Sequence, residues 1–474
     1  MSLQQTLLGR FASLEQDTPA AGGVSDALEI GQVVDEDGAQ LDGENLAEND
    51  LIEASEESDV VEEGSDDVEE LVETSEALES FLQAAQAASK QGGWTTQEAA
   101  AYDLGINVVM ARIGGGSRDV MPSLESFGSS RERINATASV ENRITDTLKK
   151  IWEAIKRAVN KVIAFVRKWY LKIFDGASRL KKRAEAIRTK GENTQGTAKE
   201  KKITIPLSGL HINKNAPKAA QLVSSMKTVT TIIADVTKGQ MSKGYEKAMT
   251  GMTEALEGAV EAGRMSGGKT KKINAAETKY AGLSSAFTED SKAMAKFPGA
   301  SETNAKGFSV KEVLPGGKRF VALDLSLADD ATPKDIAAGS RSACKVVLVD
   351  ATDSKVEVDG SKEVDVLSPQ DVVAIANGVI DLADAVIDYR KEFENYDRQT
   401  KEALKRVDKV ASGSSKGDND AETERLAEIR AIASAAGNLI RNQGTSVTSV
   451  VNYGLGLARN ALVYGNSSLN QYSS

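Results

Sequence analysis

From Ile144 to Ile173 apolar residues fall at steps of four, three, four, four, three, four, three and four: Ile144, Leu148, Ile151, Ile155, Val159, Val162, Val166, Trp169 and Ile173. The steps follow a 3.6-residue period and predict a helix of about thirty residues, roughly 45 Å. Trp152, Ile163, Tyr170 and Phe174 widen the apolar stripe, while Lys150, Arg157, Lys161, Lys168 and Lys172 lie on or near the opposite face. Asp175-Gly176 reads as its stop. A second basic helix follows over Ser178–Lys190, with Arg179, Lys181, Lys182, Arg183 and Arg188, and ends at Gly191. Residues 142–191 are thus expected to be a basic amphipathic helix pair.

The other segments read more simply. Residues 2–15 place Leu3, Leu7, Leu8, Phe11 and Leu14 on one side of a short helix. Residues 1–80 as a whole are acidic and largely disordered in expectation, because dense like charge opposes compaction. Residues 81–116 predict two short helices broken at Gly92-Gly93, and the Ser-rich stretch 117–141, with Pro122, an exposed linker. Residues 192–306 are expected to be helical, at 217–263 and 271–287, after a short strand at Ile203-Thr-Ile. The character changes over 307–367, where Phe308-Ser-Val, Arg319 to Leu325, Lys345 to Val349 and Lys355-Val-Glu-Val alternate like strands. Residues 368–474 return to helices: one from Pro369, capped by Ser368, to about Ser412, then two at about 419–442 and 445–465. The fold class expected is mainly α, with long amphipathic helices, a small β-rich insertion and a disordered acidic N-terminal propeptide.

Charge changes this picture from a fold to a precursor. Residues 1–80 carry 24 Asp/Glu against the single Arg10, a net −23, whereas the whole chain is −12 and the rest therefore +11. Residues 142–190 hold 15 Lys/Arg and 4 Asp/Glu, also +11. Removing the leader would turn an acidic protein into a basic one suited to polyanion.

Little enzymatic chemistry is on offer. One cysteine, Cys344, and one histidine, His211, exclude a disulfide framework and argue against Cys- or His-based metal and nucleophile sites. No cofactor is expected. The start lacks a secretory signal, no apolar run reaches eighteen residues, and the chain reads as a soluble product of a reducing compartment. Gly263-Arg-Met-Ser-Gly-Gly-Lys269-Thr270 matches the phosphate-loop pattern, and Val346-Val-Leu-Val-Asp350 resembles a strand ending in a metal-binding Asp. The stretch before Gly263 is helical in composition, however, which favours a Gly-rich turn over a nucleotide site. The basic helix admits three readings: a solvated face of a packed helix, a phosphate-binding surface, or an interfacial helix on anionic lipid using Trp152, Phe165, Trp169, Tyr170 and Phe174.

Three small-x-Glu tripeptides lie near the charge boundary: Ala77-Leu78-Glu79, Ser123-Leu124-Glu125 and Ser139-Val140-Glu141. A cut after Glu125 or Glu141 removes −24 in either case and leaves +12.

The stretch from Ile151-Trp-Glu-Ala-Ile-Lys-Arg to Leu180-Lys-Lys-Arg-Ala, preceded by an acidic segment and S-x-E sites, resembles the opening of mature internal head proteins of phiKZ-like giant tailed phages. The resemblance implies a propeptide removed by the prohead maturation protease, with Glu125 and Glu141 as P1 and Ser123 and Ser139 as P3 residues. It implies a non-enzymatic virion protein, made in the host cytoplasm and packaged inside the capsid with double-stranded DNA and other capsid or inner-body proteins. Some members are ejected, and membrane contact would then follow. On this reading Lys150, Arg157, Lys161, Lys168, Lys172, Lys181, Lys182 and Arg183 bind polyanion. The alternatives are a phosphate-loop nucleotide-binding protein and a membrane-active ejected protein.

Overall fold

Gly92 and Gly93 have φ of +100° and +82°, and between them the chain turns sharply out of helix α1 (77–90). Gly93 N donates to Ala88 O at 2.8 Å, closing the end of the helix. A Cβ at Gly93 would stand 2.5 Å from the backbone carbon of Arg133, so the turn needs glycine twice over. The computed structural model describes residues 70–71, 73–75, 77–207, 209–239, 242–243, 245–246, 249–250, 286–297, 305–325, 339–341, 345–351, 361–412 and 420–472. The expected helix at 2–15, the acidic stretch to residue 69, the 263–270 motif and Cys344 lie outside them.

Helix α2 (Thr96–Arg112) starts at a reciprocal cap: Glu98 N donates to Thr95 Oγ1 and Thr95 N to Glu98 Oε2. Trp94 stacks on Tyr102 with ring centroids 4.4 Å apart. The expected break at Gly92-Gly93 is therefore where the structure has it.

The stretch 117–141 differs from the exposed linker expected. Val120, Met121 and Phe127 are buried around two short 3-10 turns, Ser117–Asp119 and Leu124–Phe127, and helix α3 (Ser130–Asn193) begins twelve residues before Asn142. Ser129 caps it, with Ser129 N donating to Glu132 Oε2 at 2.8 Å and Glu132 N donating back to Ser129 Oγ. The expected pair at 142–191 is one continuous helix. Asp175-Gly176 does not stop it, because Ile173, Phe174, Ala177 and Leu180 continue the same buried stripe across the glycine. That burial outweighs the helix penalty of one glycine, about 1 kcal/mol.

The described residues form two units, one ending at Lys161 and one beginning at Val162, and α3 carries the chain from the first into the second. The second unit is built on α4 (Ala219–Lys238), α5 (Pro369–Ser412) and α6 (Asp420–Leu469). Gly454 of α6 lets the three meet: a Cβ there would touch Val229, Ile233 and Leu382 at 3.0–3.5 Å. Ser368 caps α5 with Pro369 in its first turn, Asp371 N donating to Ser368 Oγ at 3.1 Å. Two helices were expected at 419–442 and 445–465, yet α6 passes through Gly444 unbroken, with Leu439, Ile440, Val447 and Val450 buried on both sides.

The β residues divide between two antiparallel sheets instead of one unit at 307–367. Strand β1 (Lys202–Pro206) pairs with β6 (Ser361–Asp365), Ile203 opposite Val364. Strands β2 (Phe287–Glu289), β3 (Ala305–Val310), β4 (Lys318–Leu325) and β5 (Val346–Asp350) lie in sequence order in the second sheet. Alternation along β4 sends Phe320 and Ala322 into the main core and Val321 and Leu323 against Ala293 and Phe297. Side chains of α6 satisfy sheet and loop backbone: Val346 N donates to Ser446 Oγ and Leu367 N to Ser468 Oγ. The fold class is mainly α with a small sheet region, as expected from the pattern.

Candidate functional site

The first unit carries both S-x-E sites of the charge boundary, and its geometry treats them differently. Ser123 stands at the start of a 3-10 turn with extended φ/ψ of −63° and 145°. Ser123, Leu124 and Glu125 are all exposed, Leu124 at 38%. Met121 and Phe127, both buried, pin the segment at either end. Within it Ser126 N donates to Ser123 O at 3.0 Å. A protease that reads an extended strand can take this segment by opening one short turn.

Ser139-Val140-Glu141 lies inside α3. Ser139 and Glu141 are half-buried, and Val140 has no exposure at all. Glu141 Oε1 accepts from Ser89 Oγ, and Glu141 O accepts from Thr145 Oγ1 at 2.8 Å. Presenting this tripeptide as a strand requires breaking helix bonds on both sides and drawing Val140 out of an apolar core, about 1.5–3 kcal/mol for the side chain alone. Ala77-Leu78-Glu79 is also helical, with Leu78 fully buried.

Residues 89–94 meet α3 beside this tripeptide. Trp94 N donates to Thr137 Oγ1 at 3.0 Å, Ser89 to Glu141, and Gly93 abuts Arg133 and Ile134. Ser89 of α1 and the turn that follows it thus meet α3 between Arg133 and Glu141. Leu78, Leu82 and Ala85 of α1 and Val140, Ile144, Leu148 and Ile151 of α3 are buried in the same unit.

The basic residues are less uniform than their spacing suggests. In the first unit Lys150 is exposed, and Arg157 is exposed with Nε donating to Glu153 O at 3.3 Å. In the second unit Lys182 is exposed, and Lys172 and Arg183 are half-buried and carry interactions of their own. Lys181 is committed elsewhere: its Nζ lies 2.7 Å from Asp384 Oδ1 on α5, and that hydrogen bond raises its pKa. Arg188 reaches Asn377, and Lys190 reaches Asn466 and Asn470. The side chains of Lys161 and Lys168 lie outside the described residues. Tyr170 and Phe174, read as interfacial aromatics, are buried in the core, Tyr170 with its ring 3.9 Å from that of Phe393.

The strand thought to resemble a metal-binding one is β5. It pairs antiparallel with β4, and Asp350 accepts from Lys318 Nζ at 2.7 Å, so the carboxylate already neutralises a lysine. A phosphate-loop fold needs a parallel βαβ unit at that point. Among the described residues no group of three His, Cys, Asp or Glu side chains is placed to hold a metal. None of their helices is long and apolar enough to cross a membrane. His211 is buried, with its backbone O accepting from Gly316 N at 2.9 Å, which suits a packing role.

Two features escaped the sequence reading. The Ser129-x-x-Glu132 cap was legible as a helix start and was passed over within a Ser-rich stretch. The buried polar run Asn438, Arg441, Asn442 and Gln443 on α6 had no such signal. Asn442 Nδ2 donates to Ser340 O and Gln443 Nε2 to Val236 O, pairings across about 100 and 200 residues of chain.

A model of the phiKZ-like phage internal head proteins matches residues 47–463. No curated protein matches the chain, and no solved structure does.

Proposed function

The chain belongs to the phiKZ-like phage internal head proteins, and from that premise we propose that it is made as a self-masked precursor. A head protein of this family resides in the capsid interior. On the proposed reading the prohead maturation protease cuts after Glu125, with Ser123 at P3, and Ser126 becomes the new N-terminus. The observation that carries this is the exposure of Ser123, Leu124 and Glu125 at the charge boundary, with Ser123 extended and only one short 3-10 turn following it. The cut removes −24 and leaves +12. The precursor, made in the host cytoplasm, stays off DNA because its tethered leader competes for the basic face at high local concentration. The mature chain, without a catalytic site of its own, sits among packaged DNA phosphates beside other inner-body proteins. Lys150, Arg157 and Lys182, all exposed, lead the contacts. Membrane contact after ejection gains nothing from the buried Tyr170 and Phe174.

The test is a salt titration of duplex DNA binding by the full chain and by residues 126–474. The shorter chain should bind without sequence preference, with a log–log salt slope of about −3 if three cations engage and about −4 to −5 if Lys161 and Lys168 join them. The full chain should bind far more weakly. Changing Lys150, Arg157 and Lys182 to Gln should flatten the slope by about 3. Equal affinity of the full and shortened chains would refute masking.

A further inference from the structure

The contact between α1 and α3 does more than fill a core. It sets one of the two S-x-E segments against the propeptide that a cut at the other would release. We infer that the Glu141–Asn142 bond is a latent processing site, closed in the precursor by helix α1 and opened only after the chain has been cut after Glu125. The inference rests on the processing reading above and adds to it an order and a gate.

Val140 has no exposure and sits mid-helix, and Glu141 accepts from Ser89 on the opposing helix. Four and eight residues back along α3 from Glu141, Trp94 and Gly93 meet the same face at Thr137 and Arg133. As long as residues 77–112 are covalently joined to α3, any opening of this pair recloses at once, because the partners are held at high effective concentration by the 117–129 connection. Cutting after Glu125 severs that connection and leaves an interface that dissociates. Once residues 77–112 leave, α3 has lost the contacts at Arg133, Thr137 and Glu141 and the buried residues that share its unit, and its first turns are a free helix end. Short helix ends without tertiary packing fray. The Ser139-Val140-Glu141 segment then becomes a strand-capable substrate, and hydrolysis by water of the peptide bond after Glu141 yields a carboxylate at Glu141 and an amine at Asn142.

Charge gives the second cut a distinct purpose. Residues 126–141 contain Arg131, Glu132, Arg133 and Glu141, which sum to zero, so this cut does not alter the net charge. It removes apolar surface. Phe127, Ala136 and Val140 are buried in the precursor, and Ile134 is already 43% exposed. Left on a mature chain they would form a sticky N-terminal segment among crowded neighbours. The first cut switches the charge, and the second trims what the first uncovers.

Glutamyl endopeptidase, which cuts after Glu, serves as the probe on the full chain, with products followed by intact mass over time. The product beginning at Ser126 should appear before that beginning at Asn142. In Glu125→Gln, cutting after Glu141 should slow by at least about tenfold, since cleavage then depends on rare local opening. Glu125→Gln combined with Leu82→Ala, which loosens the cover without touching either site, should restore much of that rate. Glu141→Gln should leave the cut after Glu125 unchanged. Wild-type cutting after Glu141 in Glu125→Gln would overturn the gate, as would a Leu82→Ala combination no faster than Glu125→Gln alone. These outcomes concern accessibility in the isolated chain. Processing in the head is decided separately by the N-terminus found in virions.

Discussion

Among the described residues of the unit that ends at Lys161, eleven of the eighteen buried apolar ones precede Glu125, among them Leu78, Leu82, Trp94, Ile106 and Met110. In the described part of the unit that begins at Val162, every buried residue lies downstream of that bond. One core is thus assembled largely from segments that the proposed cut removes. The other closes on itself, through α4, α5, α6 and the sheets. On the proposed reading, the difference separates a part built to come apart from a part built to persist. Both cores obey the same packing rules, so what distinguishes them is where the cleavable bond falls in the chain.

The largest effect that can break this comparison is a cavity in each core. Leu455→Ala, on α6 at a fully buried site, should cost about 2–5 kcal/mol in the full chain and equally in residues 126–474. Leu78→Ala should cost a similar amount in the first unit of the full chain and nothing in residues 126–474, which lack the position. Hydrogen exchange read separately over each unit distinguishes the two. If Leu78→Ala lowers protection in the second unit as much as in the first, the units are not independent in the sense argued.

Legibility in the sequence follows the same division. The helix start at Pro369 and the turn at Gly92-Gly93 were readable because each rests on local chemistry: a cap, a fixed φ or a glycine. The continuity of α3 through Gly176 and of α6 through Gly444 was not, because tertiary burial of the flanking stripe overrides a local stop signal. Pairing of β1 with β6, about 160 residues apart, has no local signature at all. At the candidate site, the small-x-Glu tripeptides were visible, and position singled out the two that bracket 117–141. Only the fold ranks them, since exposure of Ser123 to Glu125 and burial of Val140 depend on where Met121, Phe127 and α1 pack. The basic spacing on α3 likewise overstated the free cations, because Asp384, which engages Lys181, lies about 200 residues away.

A smaller effect sharpens the claim that the second unit persists. His211 is 3% exposed, and its Nδ1 has no hydrogen-bond partner among the described residues. Burial lowers its pKa, with Lys362 and Lys318 adding to the shift. The unfolded chain therefore binds a proton at His211 more readily than the folded one. Stability should be full above the ordinary histidine value near 6.5 and decline as pH falls from there toward the lowered folded value. Because the residue lies in the second unit, the decline should be the same with and without residues 1–125. His211→Gln should abolish it. Thermal unfolding from pH 7.5 to 5 checks this, and an unchanged pH profile in His211→Gln would remove His211 from the account.

The central claim, that this head protein is a precursor whose acidic leader is cut away, is tested most directly by mass spectrometry of the chain in purified virions. The account predicts a new N-terminus at Ser126 or, after the second cut, at Asn142, with peptides from residues 70–112 absent from mature heads. Abundant peptides from that region in mature heads, or an intact chain from Met1, would contradict it.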